Sequence, residues 1–573
     1  MATGTTIIKA KSIITMDPGN PRAEALAFDA STGEIVAVGT VEACTAAAPT
    51  ATVTDLGDTV VLPGFVEPHS HPAQSGLVTQ APCHWIAPYV GYPTWADVTA
   101  FFATLDAKTP AGEPLMFNGL DRLLQGAAAP TAVSLDEFFP TRPVIILDNS
   151  GHLAYFNTAL IKLQGWDTKA PADPVGGSYG RLADGSLDGQ AFELPAVMEA
   201  ALPILGKAVP HPLHSAAKWY RLMATHGITS TSDMTYDDTF LKAYEALASA
   251  EDCPLRISLY QVSTSEVAGQ KLTTANPDRV RKQGIKLWAD GSPWIGNAAL
   301  SFPYLDSPVV RAAGIPLGPA GISVMNYTKD ELDAVIDKHA PEGWQMSFHC
   351  NGDAALDVVL DVYERGLKKH NLLGTDHRWR IEHLGACHKE QFERAAALGV
   401  EASMGPFQFI YWGDLLDGQM FPSEIGSQWQ AIGDAFDAGL EVSFHNDGSV
   451  TPPNVLLNIQ STITRTTSSG TVHGANQKVT LDQALRAETI NGARQLFVDD
   501  KYGSLEVGKI ADLVELSADP YEVNPMTLAT DVSVLGTWVG GRKVDLDAFD
   551  AQIQAIDPDP HADLAAAGPP ACC

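Results

Sequence analysis

Six residues have the types and placement that chemistry at a metal ion requires: His69, His71, Lys286, His349, His383 and Asp447. His69 and His71, in VVLPGFVEPHSH, are separated by one residue, so at the end of a strand both point the same way and can bind one ion. Two surface histidines would look the same in isolation. The pattern gains weight because His349 in QMSFHCNGD, His383 in RIEHLG and Asp447 in SFHNDG stand at the ends of three later apolar runs. Lys286 lies inside the run GIKLWADG, where a buried ammonium is expensive unless it is paired or chemically altered. Two readings follow: the lysine pairs with Asp290, or it takes up carbon dioxide and becomes a carbamate (N6-carboxylysine) whose two oxygens bridge two metals. Histidine nitrogen with carboxylate oxygen suits zinc best, with Mn, Fe or Ni as alternatives.

The elements that position these residues are short apolar runs separated by helical or loop stretches: VVLPGFVE, GITSTSD, LRISLYQV, GIKLWAD, WQMSFHC, WRIEHL, GVEASMG and LEVSFHND. Continuous apolar runs alternating with helical patterns predict parallel strands buried on both faces. Eight of them predict a (β/α)₈ TIM barrel, whose active sites form at the C-terminal ends of the strands. The barrel is expected over 61–447, with its last helices in 448–499. The interval between the first and fourth runs exceeds what three βα units of about 30 residues need, so a large insertion, a lid, is expected after the first strand at about 72–226. Residues 1–60 and 500–548 both read as short alternating strands with Gly and Asp turns, neither with enough apolar surface for its own core. They are expected to pair into one composite β-sandwich. Residues 549–573 read as an acidic Pro/Ala tail.

Composition narrows the partners. The chain has 573 residues, 45 % hydrophobic, with a formal net charge of −31. A field of that sign repels phosphate backbones and anionic lipid, so neither nucleic acid nor a membrane is an expected partner. No apolar segment approaches the roughly 18 residues of a membrane span, and the N-terminus resembles a signal peptide poorly. Seven cysteines without a C-x-x-C pair signal neither a disulfide framework nor a zinc knuckle, and a cytoplasmic location is expected. A small-molecule substrate is the expected partner, and the sequence does not decide whether the chain forms a homodimer.

The order PGFVEPHSH, GIKLWADGS, SFHCNGDAA, RIEHLG and FHNDGS, closed by LTLDQALRAETINGARQLF and GSLEVGKIADLVEL, resembles the metal-dependent amidohydrolase superfamily. More narrowly it is similar to amidohydrolase family 3, the YtcJ-like branch, over about residues 5–545, including GHLAYFNTAL around His152. The resemblance implies that His69, His71 and Asp447 hold one metal, that His349 and His383 hold the other, and that Lys286 is the carboxylated bridge. Glu67 stands where the superfamily usually has Asp. Such a ligand set would hydrolyse an amide C–N bond: Asp447 takes the proton of an acidified water and hands it to the leaving nitrogen, with His383 and Lys286 completing the catalytic group. The branch's best-known activity, removal of formyl groups from N-substituted formamides, is the leading expectation. Lactam, carbamate, ester or amidine hydrolysis on the same scaffold, or a catalytically silent scaffold, are the alternatives.

Further residues carry secondary roles. His152 is expected to hydrogen-bond the substrate, and the aromatic residues Trp85, Trp288 and Trp294 to wall an apolar pocket, with Phe407 and Trp412 as further aromatics. Asp290 and Asp353 are read as partners that orient ligands or as helix caps. His84, His211, His214 and His445 have no motif support and are read as structural or surface residues.

Overall fold

The computed structural model describes residues 4–174, 176–318 and 321–558. Eight parallel strands follow one another in chain order around a single sheet: β1 (Phe65–Glu67), β2 (Ile228–Tyr236), β3 (Arg256–Val262), β4 (Val280–Trp288), β5 (Gln345–Cys350), β6 (Arg380–His383), β7 (Glu401–Met404) and β8 (Val442–Phe444). Every residue of β5 to β8 is buried, as strands covered on both faces must be. Helices such as Asp353–Lys369 cover the outside with a stripe that includes Leu356, Val359, Leu360 and Tyr363. The ladder pairs Lys286 with Ser347, Trp288 with His349, and Cys350 with His383. That register brings Lys286, Trp288, His349 and His383 toward the C-terminal end of the barrel.

The two ends of the chain share one eight-stranded sheet rather than two separate leaves. The long strand Thr5–Ile14 pairs in its first half with Thr52–Asp55 and in its second with Val60–Pro63, and Val60–Pro63 pairs on its other side with Leu513–Leu516. Ile8, Ile13, Leu26, Phe28, Val61, Leu513 and Trp538 form a core common to both ends. The run VVLPGFVE is therefore two strands. The switch falls at Gly64, where a Cβ would lie 2.2 Å from Thr229 Oγ1, so only glycine lets the chain cross from the terminal sheet into the barrel. The sandwich part thus reaches Pro63 instead of ending at residue 60.

The insertion is a folded layer with its own six-stranded sheet, built from His84–Trp85, Leu115–Leu120, Val144–Asp148, Leu153–Phe156, Ser178–Arg181 and Leu187–Phe192. Alternation along Val144–Asp148 sends Ile145 and Leu147 into one core and Val144 and Ile146 into another. The helix Pro212–Thr225 then packs beside Pro72–Thr79 and returns the chain to β2. At the C-terminus, residues read as tail begin as a helix, Leu546–Ile556, because Phe549 and Ile553 are buried, with Phe549 stacked on Tyr220 at 6.5 Å. Residues 559–573 of the expected tail lie outside the described residues. Among the described residues no helix is long and apolar enough to cross a membrane.

Candidate metal centre

The strand ends deliver the candidate residues into one cavity of about 500 Å³, lined among others by His69, His71, Lys286, His349, His383 and Asp447. His383 ends β6 with φ +75°, followed by Leu384 at +56°, and Asp447, just beyond β8, has φ +54°. Left-handed backbone at bulky residues is strained, and such strain collects at functional sites. One ligand atom from each of His69, His71 and Asp447 lies within 4.8 Å of the others, which is the reach of a single cation. Asp447 Oδ1 is 3.3 Å from His69 Nε2 and 3.2 Å from His71 Nε2, and Asp447 Oδ2 is 3.9 Å from His383 Nδ1. The rings of His349 and His383 pack edge-on at 4.5 Å. Among the described residues His383 Nδ1 is buried without a hydrogen-bond partner, an unmet polar atom beside the imidazole and carboxylate groups of His69 and Asp447, a donor set that suits a divalent transition metal.

A second layer fixes the ligands. His69 Nδ1 donates to Glu382 Oε2 at 2.7 Å, and Glu382 Oε1 also accepts from Arg380 Nε and Ser347 Oγ, each at 2.6 Å. This locks the tautomer and leaves Nε2 for the cavity. His71 Nδ1 hydrogen-bonds Thr235 Oγ1 at 2.8 Å. Sequence reading missed Glu382 and Arg380, yet a signal was available: two charges at alternating positions of the apolar strand WRIEHL. His445, read as structural or surface, is the former. Its ring is fully buried, stacks on His69 at 4.6 Å, lies 5.0 Å from His383, and among the described residues has no hydrogen-bond partner on either nitrogen.

Burial dominates the electrostatics. It pushes Lys286 down to about 8, against the pull of Glu382 and Asp447. Burial also holds His349 and His383 well below the ordinary imidazole value, so both stay neutral with lone pairs available for a metal. For Asp447 burial works upward, but His69, His71 and His383 outweigh it and keep the carboxyl well below its usual range. Glu67 is pushed up to about 8 by burial; its Oε1 accepts from the Asn446 N–H at 2.7 Å while Oε2 is unmet. Asp290 is not the lysine's partner. Its carboxylate is taken by the backbone N–H groups of Asn351, Gly352 and Ala299, at 2.9, 2.8 and 3.0 Å. Asp353 accepts from the Ser301 N–H at 2.9 Å, a structural bond between segments.

Of the aromatic residues, Trp288, Trp294 and Phe407 line the cavity. Trp412 stacks behind Trp294 at 4.5 Å. Trp85 is a correction: it is 7 % exposed, packed against Trp219 at 5.8 Å within the barrel–insertion core, and is not among the cavity's lining residues. His152 does line the cavity, its ring 5.7 Å from that of His349. Burial pulls its pKa down, but Glu193, Asp447 and Asp148 together outweigh it and raise the value above that of an ordinary imidazole.

The amidohydrolase family matches residues 52–545. The chain is 26% identical to N-substituted formamide deformylase of Arthrobacter pascens over 550 residues, 92% of this chain and 96% of that protein. It is equally 26% identical to the protein LONG AFTER FAR-RED 3 of Arabidopsis thaliana, over 93% of this chain and 90% of the relative. An uncharacterized metal-dependent hydrolase from Pyrococcus horikoshii shares the fold with a TM-score of 0.68 at 20% identity, covering 91% of this chain and 99% of that one.

Proposed function

We propose, from the premise that the chain belongs to the amidohydrolase family, that it is a metal-dependent hydrolase cleaving the C–N bond of an amide, with an N-substituted formamide as the leading substrate. One observation carries the reading: His69, His71, Lys286, His349, His383 and Asp447 converge on a single cavity at the C-terminal end of the barrel. In this reading His69, His71 and Asp447 would hold one zinc, His349 and His383 would hold a second, and Lys286, as a carbamate, would contribute its oxygens to the same centre. Its neutral amine adds to carbon dioxide, forming the N–C bond and losing a proton to solvent, a step that its lowered pKa favours. A divalent metal held there would supply Lewis acidity, lowering the pKa of a water from 15.7 toward about 7 and polarising the amide carbonyl.

The chain's own groups do the rest. Asp447, kept anionic beside three histidines, accepts the water's proton and passes it to the leaving nitrogen, a transfer that typically contributes 10² to 10⁴ in rate. Glu382 keeps His69 oriented throughout. Trp288, Trp294 and Phe407 wall an apolar N-substituent and exclude water, and His152 hydrogen-bonds the amide. The test is a hydrolysis panel of formamides, lactams, carbamates, esters and amidines with the zinc-loaded protein, beside metal analysis of protein purified without chelator. Formate release from N-substituted formamides and bound transition metal are expected. Turnover of another class moves the substrate assignment, and a metal-free, inert protein overturns the hydrolase.

A further inference from the structure

One hydrogen-bonded pair carries the insertion into the metal cavity. His152 stands in the turn after the strand Val144–Asp148, and Glu193 opens the helix Glu193–Ala208 immediately after the strand Leu187–Phe192. His152 Nδ1 donates to Glu193 Oε2 at 2.7 Å, and the Glu193 backbone N–H returns a bond to His152 O at 2.7 Å. Asn297, from the loop beyond β4, donates through Nδ2 to the other carboxylate oxygen, so barrel and insertion grip the same side chain. Both His152 and Glu193 line the cavity.

Two features separate this carboxylate from a structural one. Glu193 has φ +63°, a left-handed backbone that glycine adopts freely and a long side chain adopts only under strain. Had the strand-to-helix turn been the only requirement, glycine would serve it better. Moreover, with Nδ1 committed to Glu193, Nε2 is the one ring nitrogen left to meet a ligand, and no bond to it is seen among the described residues. We propose that Glu193 is a positioning residue, which with Asn297 fixes the His152 ring so that Nε2 meets the scissile amide beside His349. The inference rests on the reading of the cavity as an amide-hydrolysing site.

The test is a mutant cycle on the zinc-loaded enzyme together with crystal structures. Glu193→Gly removes the carboxylate while suiting the left-handed backbone, so melting temperature and metal content should hold. Its kcat should fall about 10- to 100-fold, the usual cost of losing a group that orients a functional side chain, with KM changed less than about threefold. Glu193→Gln, which keeps an oxygen to accept from Nδ1, should recover part of that loss. In a His152→Ala background, Glu193→Gly should cost no more than about a further twofold, because the carboxylate acts only through the imidazole. The crystal structure of the glycine variant should show the His152 ring turned from its present orientation. Additive losses, an unchanged kcat, or a His152 ring that has not moved would each overturn the proposal. If the wild type hydrolyses no amide, the hydrolase reading falls, while the ring's orientation in the glycine variant still decides what Glu193 does.

Discussion

The mouth of the barrel and the seam where the barrel meets the terminal sheet both bury charge, but they treat it in opposite ways. At the seam, Arg256 forms a two-pronged pair with Asp512, at 2.7 and 3.1 Å, and its guanidinium stacks over Tyr502 at 4.4 Å. Asp512 also accepts from the Gly540 N–H at 2.6 Å. Each charge there is matched from within the chain. At the mouth, His383 Nδ1 and, behind the cavity wall, Glu67 Oε2 and both nitrogens of His445 are buried and unmet among the described residues. Leaving a buried polar atom unpaired costs about 1–3 kcal/mol, and beside His69, His71 and Asp447 such atoms stand where the metal proposed above would be held. In the proposed reading the seam is finished by folding and the mouth by a metal.

Six substitutions would break or sharpen that contrast. The largest effect is expected at the mouth: His69→Ala or His349→Ala should lower turnover by roughly 10³-fold or more and reduce bound metal. Full activity at unchanged metal content in either variant would dissolve the proposed centre. Asp447→Asn comes next, with kcat down by about 10² to 10⁴ and KM nearly constant, since proton transfer belongs to the transition state. Steady-state kinetics that place the effect in KM alone would remove Asp447 from its role.

At the seam the currency changes from rate to stability. Arg256→Ala strands Asp512, which is 3 % exposed, and should cost about 3–5 kcal/mol in denaturant unfolding, while kcat of the folded enzyme stays as it was. A rate loss matching that at His69 would mean that the two regions are not independent. The smallest effect concerns selectivity. Trp288→Ala should change the ratio of kcat/KM between bulky and small substrates by about tenfold, the scale of a few apolar contacts. Trp85→Ala should leave that ratio alone and show its effect in stability, because its ring is packed away from the cavity. Equal shifts in selectivity from both variants would put the pocket wall elsewhere.

The sequence by itself determined the eight strands, the (β/α)₈ order and the placement of candidate ligands at strand ends. Each depends on information within a few residues: an apolar run long enough to be a buried strand, and a polar residue at its end. What depends on partners far along the chain was decided only by the tertiary structure. His69 is oriented by Glu382, 313 positions away, and nothing near His69 announces it. His445 has the same local look as a surface histidine, and only the curling of the sheet, which brings the segment after β8 beside the segment after β1, sets it on His69. Trp85 reads as an aromatic wall until Trp219, folded back on the returning helix, takes its face. Glu193 carries no motif at all, since its left-handed backbone and its bond to His152 exist only once the insertion's strands have paired. Periodicity is a local property of the chain, whereas hydrogen-bond partnership in a barrel with insertions is set by long-range closure, so the strands and ligands could be read and their supports could not.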